Sequence, residues 1–138
     1  MNAPLYTTEI LRLAASLAEP RELEREDGRA ELRSPTCGSR VEVAIALDDG
    51  RVEAVTQKVH ACAFGQASAA LMERGSPGLS RSDVAEAVDQ LGSWLSGGGP
   101  EPDWPGIAAL APARSRKSRH GAILLPFRAL LAALDATS

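Results

Sequence analysis

Apolar and polar residues recur along this chain with two different periods, and the changes of period mark out its elements. Ile10, Leu11, Leu13, Ala14 and Leu17 repeat at helical spacing behind Thr7 or Thr8, either of which can cap a helix, and Pro20 closes the run. Arg21 to Asp27 reads as a charged connector. Gly28 then opens a short extended run, Arg29-Ala30-Glu31-Leu32-Arg33, whose alternation suits a half-buried strand. Pro35 breaks it, and Gly38 permits backbone angles that other residues avoid, so Cys37 falls on a tight loop. From Val41 the period is two: Val41, Val43, Ile45 and Leu47 face one way, and Glu42, Ala44 and Ala46 the other. Asp49-Gly50 is a strong hairpin signal. The return strand runs from Arg51 to His60, with Val55 and Val59 at the same parity.

Beyond Gly65 the period lengthens. Phe64, Ala67, Ser68, Leu71 and Met72 predict a helix ending near Gly75, and Ser76-Pro77-Gly78 predicts a turn. Ser80 or Ser82 caps the next helix, whose core stripe is Val84, Ala87, Val88, Leu91 and Leu95. Ser96-Gly97-Gly98-Gly99-Pro100 ends it and begins an irregular loop to Pro105. A short apolar piece, Ile107 to Leu110, precedes the basic run Arg114-Ser115-Arg116-Lys117-Ser118-Arg119-His120. The last helix is expected over Gly121 to Leu134, with Pro126 in its first turns, where proline is tolerated. There is no internal repeat and no domain boundary. The order predicts one α+β domain over residues 1–138, a small three-stranded antiparallel sheet with helices packed on one face.

Composition narrows the function. A chain of 138 residues can bury a real core, and 44% apolar with 24% charged residues is ordinary for a soluble globular protein. A net charge of −3 argues against nucleic acid as the main partner, because phosphate binding wants a basic face. No apolar run approaches the ~20 residues of a membrane helix. Met1-Asn2-Ala3-Pro4-Leu5-Tyr6 lacks the basic and apolar regions of a signal peptide. The expected location is the cytoplasm, where cysteines are more often catalytic or metal-binding than disulfide-bonded.

The chain has two cysteines, Cys37 and Cys62, each at a corner of the predicted structure. Cys62 stands where a strand pattern gives way to a helix pattern, so its sulfur meets the positive end of a helix, which favours thiolate. The Asp49-Gly50 turn returns the chain to its start and brings both cysteines to one end of the sheet. On spacing alone, two small buried cysteines fit as well as a shared site, and two thiolates do not complete a metal site, since zinc and iron want about four ligands. Two histidines are available to add to them. By strand parity His60 points with Cys62, and His120 begins the last helix. Either is also consistent with a solvated ring, and the basic run with a solvated loop that offsets negative charge on thiolates or a bound cluster.

These residues resemble the IscU/SufU/NifU N-terminal iron–sulfur cluster assembly scaffolds, over most of the chain from Gly28 to about Leu131. Ser34-Pro35-Thr36-Cys37-Gly38 is similar to the first motif of that family, a cysteine followed by glycine and aspartate. Ala61-Cys62-Ala63-Phe64-Gly65-Gln66-Ala67-Ser68-Ala69 resembles the second, a cysteine opening a small-residue helix. Ser118-Arg119-His120-Gly121-Ala122-Ile123-Leu124 resembles the third, which normally carries the last cysteine. The long segment from Gly75 through Pro112 is more similar to the SufU branch. The chain departs from the pattern at two places. Ser39 stands where the family has aspartate, and the third cysteine is replaced by Gly121 or, if Leu125-Pro126-Phe127 is aligned with a Leu-Pro-Trp, by Ala122.

The resemblance implies an IscU-like fold and a non-catalytic scaffold or carrier that binds iron or a transient iron–sulfur cluster of 2Fe–2S type. Cys37, Cys62 and His120 are the implied ligands, and a cysteine desulfurase and apo iron–sulfur acceptor proteins the implied partners. Three alternatives stay open: a zinc-containing sulfur-transfer partner of the desulfurase, a degenerate interaction module without metal, and a cysteine–histidine hydrolase, for which no orienting acid is evident. The two sulfurs are expected roughly 4–7 Å apart, within the span of one metal or small cluster. Since ligation by His120 needs the neutral ring, metal binding is expected to weaken as pH falls.

Overall fold

The structure, a computed structural model, describes residues 6–35 and 38–137. Its elements are α1 (Thr8–Ala15), β1 (Gly28–Arg33), β2 (Arg40–Asp48), β3 (Arg51–His60), α2 (Ala63–Gly75), α3 (Arg81–Leu95), a 3₁₀ helix (Ile107–Ser115) and α4 (Lys117–Asp135). The three strands form one antiparallel sheet in the order β1-β2-β3. The α+β architecture expected from the chain is the one observed.

The hairpin forms for the reason its residues suggest. Asp49 and Gly50 take φ of 51° and 77°, the left-handed pair that matches strand twist in a two-residue turn. Cross-strand neighbours run from Arg40 opposite His60 to Asp48 opposite Arg51, with an irregularity at Ala46/Leu47. That bulge puts Val52 and Val55 on one face although their parity differs, and both are buried. Val41, Val43 and Ile45 are wholly buried on β2. Ala44 and Ala46, expected on the outer face, are buried as well. Ala44 lies with Pro20, Arg21 and Glu22 around a cavity of about 270 Å³, so the connector shields part of that face. It is tied down where Arg21 N donates to Thr56 Oγ1 at 2.9 Å and Asp27 N to Ile45 O at 2.8 Å. The Asp27 carboxylate accepts from Leu47 N at 2.7 Å, and this bond, with Arg25 beside it, holds its pKa below the usual value.

Helices α2 and α4 pack against each other and on the sheet, α4 along β1 and β2 and α2 beside β3. Helix α3 packs on α4, and α1 on α2. The first helix is shorter than its apolar spacing suggests. Thr7 caps it by accepting from Ile10 N at 3.1 Å, but it stops at Ala15, well before Pro20. Ser16 terminates it, its hydroxyl donating to Leu13 O and accepting from Arg74. Only Ile10 of α1 is buried, and Leu11 is 50% exposed. Ser80 caps α3 in a reciprocal box with Asp83. Trp94 joins its core stripe, while Ala87 and Val88 are half-buried.

The C-terminal third differs most from expectation. The apolar piece at Ile107 continues as a 3₁₀ helix through Ser115, taking in the start of the basic run. Trp104 anchors the loop before it, donating from Nε1 to Leu71 O at 2.8 Å and standing edge-on to Phe127 at 4.9 Å. Helix α4 starts at Lys117 rather than Gly121, so Pro126 lies in mid-helix rather than in the first turns. A proline there withholds the N–H that the carbonyl one turn earlier needs and crowds that turn. The buried Ser68 hydroxyl donates to Ile123 O at 2.6 Å, supplying a donor to this same turn.

Glu73 is half-buried on α2, and burial, opposed by the hydrogen bond it accepts from Gln57 Nε2 at 3.2 Å, raises its carboxyl pKa. A raised carboxyl pKa means the fold prefers the protonated form, so stability from this group is present below the ordinary value of 4.5 and is lost as pH rises through the raised one. Buried Gln57 Oε1 has no hydrogen-bond partner. Glu73→Gln should therefore raise the denaturant midpoint at neutral pH, where its amide can also donate to Gln57. The gain should shrink toward zero in acid. A gain that is equal at both pH values would assign it to packing instead.

Candidate functional site

Three segments of distant sequence meet at the end of the sheet away from the hairpin turn. In the first, Ser34 N donates to Ser39 O at 2.8 Å and Gly38 N to Ser34 O at 3.2 Å, closing the link between β1 and β2. Gly38 takes a φ of 72°, which favours glycine. In the second, β3 ends at His60 and α2 begins at Ala63, with Cys62 as its N-cap residue. In the third, α4 begins with Lys117, Ser118 and Arg119.

A cleft of about 440 Å³ lies between them. Gly38 and Ser39 line it from the first segment, His60, Cys62 and Gln66 from the second, and Ser118, Arg119 and Ala122 from the third. Cys62 is a free, half-buried thiol whose side chain makes no cap hydrogen bond. Gln66, one turn along α2, is fixed by donating from Nε2 to Ala61 O at 3.1 Å. The residues at the α2–α4 crossing are small of necessity: a methyl on Gly65 would overlap Ala61 and stand 3.5 Å from the Ala122 methyl.

The structure places the expected residues unevenly. His60 and Cys62 both line the cleft, as do Val59 and Ala61 of the opposite strand parity, because the strand ends at His60. His120 is half-buried beside it, and Ser118 and Arg119 rather than His120 form the wall. Its Nε2 bonds to Ala113 O at 3.0 Å and Arg114 O at 3.1 Å. Carbonyls only accept, so Nε2 carries the proton and the neutral ring keeps its lone pair on Nδ1. The same kind of bond orients a metal-ligating histidine. Cys37 lies outside the described residues, and with it the expected distance between the two sulfurs. Among the described residues no three of His, Cys, Asp and Glu are grouped to hold a metal ion.

Of the two positions at which the third cysteine of the resembled family is replaced, Ala122 lines the cleft and Gly121 faces the Ser34 hydroxyl. Ser39, where that family has aspartate, also lines the cleft and is buried. Sequence reading missed Gln66, Ser118 and Arg119 as wall residues. Their helical offsets held the signal: Gln66 is one turn from Cys62, and Ser118 one turn from Ala122. Arg114, grouped with them by sequence, is engaged elsewhere, donating from Nε to Trp94 O at 2.9 Å and lying over the indole ring.

No family model and no curated protein matches the chain. Solved structures do. The chain is similar to a nitrogen-fixing NifU-like protein (N-terminal) from Brucella abortus, with a TM-score of 0.85 and 32% identity over 95% of this chain and 92% of that one. It is also similar to a putative iron–sulfur cluster assembly scaffold protein for the SUF system from thermophilic Fervidobacterium islandicum, at a TM-score of 0.82 and 20% identity, covering 94% of this chain and 96% of that one. A hypothetical protein matches at a TM-score of 0.72 and 20% identity, covering 91% and 96%. At such identity the last two show the fold.

Proposed function

The chain belongs to the IscU/SufU/NifU N-terminal-like family, and on that premise we propose that it is an iron–sulfur cluster assembly scaffold or carrier without catalytic activity. Its cargo is iron or a transient 2Fe–2S cluster, received with the help of a cysteine desulfurase and passed to apo acceptor proteins. The observation that most supports this is the convergence on one cleft of Cys62, the residues that follow Cys37 in the chain, and the start of α4. Thiolate is the donor that iron–sulfur cargo prefers, with imidazole as an accepted second kind. The proposed ligands are Cys37, Cys62 and His120, the last through Nδ1, with its Nε2 bond to the 3₁₀ helix holding the ring in place. Three donors leave a metal one short of the usual four, so the cargo is held weakly and released readily.

The test is anaerobic reconstitution with iron and sulfide, followed by absorption spectroscopy and metal analysis. The wild-type chain should take up a labile chromophore that Cys37→Ser combined with Cys62→Ser abolishes. His120→Ala should weaken binding at neutral pH, and acidification should weaken the wild type, because ligation needs the neutral ring. A double cysteine variant that keeps the wild-type iron content would put the site elsewhere, and an unchanged His120→Ala would remove that residue from it. A second reading, sulfur transfer, draws on Arg119 in the cleft wall, whose charge suits an anionic sulfur on Cys62. Cys62 that gains sulfur from a desulfurase and cysteine, in a chain that binds no iron, would favour it. Zinc in the purified protein would be its structural ion.

A further inference from the structure

Charge is segregated along this molecule. No Asp or Glu occurs between Asp103 and Asp135, a stretch that carries Arg114, Arg116, Lys117, Arg119 and Arg128. Several arginines elsewhere are neutralised: Arg25 pairs with Asp27 and Glu53, Arg29 with Glu26 and Glu42, Arg51 with Asp83, and Arg81 with Asp135. Arg116, Lys117 and Arg119 form no ion pair among the described residues, and Arg116 and Lys117 are exposed. Strand register sets Arg33, Arg40 and His60 abreast at the same end of the sheet, with Arg33 paired to Glu31 and Arg40 in no ion pair among the described residues. The opposite end, at the Asp49-Gly50 turn, gathers Glu26, Asp27, Asp48 and Asp49 with Arg25 around a cavity. A chain of net charge −3 thus carries a cationic end at the cleft and an acidic end away from it.

Such a field orients an approaching partner before contact. Cys62 opens into a cleft walled by Arg119, so a molecule that exchanges anything with the thiol arrives at the cationic end. We propose that this end, built on Arg116, Lys117 and Arg119, is a docking face for a protein partner that surrounds its exchanging group with Asp and Glu side chains. The proposal rests on the carrier reading above and names the kind of partner that reading requires. A protein fits better than the other polyanions. Among the described residues the cleft wall has no Phe, Tyr or Trp side chain on which a base can stack. The one large apolar side chain exposed among the described residues is Leu11 on α1, which leaves this face nothing to insert into lipid.

The full chain without cargo is alkylated with iodoacetamide, and modification of Cys62 is followed by mass spectrometry. An amidated peptide of repeating Glu-Asp-Gly units serves as the acidic probe. It should slow Cys62 alkylation at low salt, and high salt should abolish the protection. Arg116→Glu combined with Lys117→Glu changes no residue of the cleft wall, and protection is read relative to the variant's own alkylation rate without peptide. The peptide concentration for half-protection should then rise at least roughly tenfold. No protection, or protection that survives the charge reversal, overturns the proposal. So does stronger protection by duplex DNA or by phosphatidylserine vesicles at equal charge, which would give the face to nucleic acid or to a membrane. Because no iron is involved, a chain that fails to load a cluster still reports on docking, and one that loads normally can still fail here.

Discussion

Ala122→Cys is expected to raise the retention of a reconstituted iron–sulfur cluster by roughly 10–100-fold, at least the scale on which an outer-shell partner changes metal affinity. Ala122 lines the same cleft as Cys62, so a sulfur added at that position is placed beside the existing thiol. A third thiolate would bring the proposed donor set to the usual four and replace loss by a slow release. Absorbance decay in the presence of a chelator measures this directly, with circular dichroism to show that the variant folds. A folded Ala122→Cys chain that loses its cluster as fast as wild type would mean that position 122 does not address the cargo. The carrier reading would then lose its geometric basis.

The second large effect is on stability. Gly28 begins β1 where α4 crosses it, and a methyl there would overlap the backbone carbonyl oxygen of Ala133 and press on the Thr137 methyl. Backbone cannot rotate aside as a side chain can, so strand and helix must move apart. Gly28→Ala should therefore cost about 3 kcal/mol, the upper part of the overpacking range, and lower the melting temperature by roughly 10 °C. Gly92 is the internal control. It lies inside α3, and a methyl added there would meet nothing within 4 Å. There the same change removes a helix-disfavouring residue and should add about 0.5–1 kcal/mol. Melting curves of the two variants check both signs at once, and a Gly28→Ala chain as stable as wild type would refute the close approach of β1 to α4.

Local period and local chemistry made much of this protein legible from its residues alone. Alternation from Val41 marked Val41, Val43 and Ile45 as buried, and Asp49-Gly50 set the turn, because few residue pairs accept two positive φ angles. Ser80 or Ser82 marked the start of α3, and the structure chose Ser80 through its reciprocal box with Asp83. The similarity of its motifs pointed to the family before any contact was known. Other features depend on partners far along the chain, and these emerged with the packing. Pro126 stands inside α4, where α2, α3 and the sheet pack against the helix and Ser68 of α2 donates to Ile123 O, and no local rule contains those contacts. The basic run became helix rather than loop because α4 has the sheet, α2 and α3 to pack against. His120 Nε2 reaches Ala113 and Arg114 because the preceding segment coils into a 3₁₀ helix that brings those carbonyls beside the start of α4. Ser118, Arg119 and Ala122 became the third wall of the cleft for the same reason: only the crossing of α4 over α2, at Gly65, brings the end of the chain to the thiol in its middle.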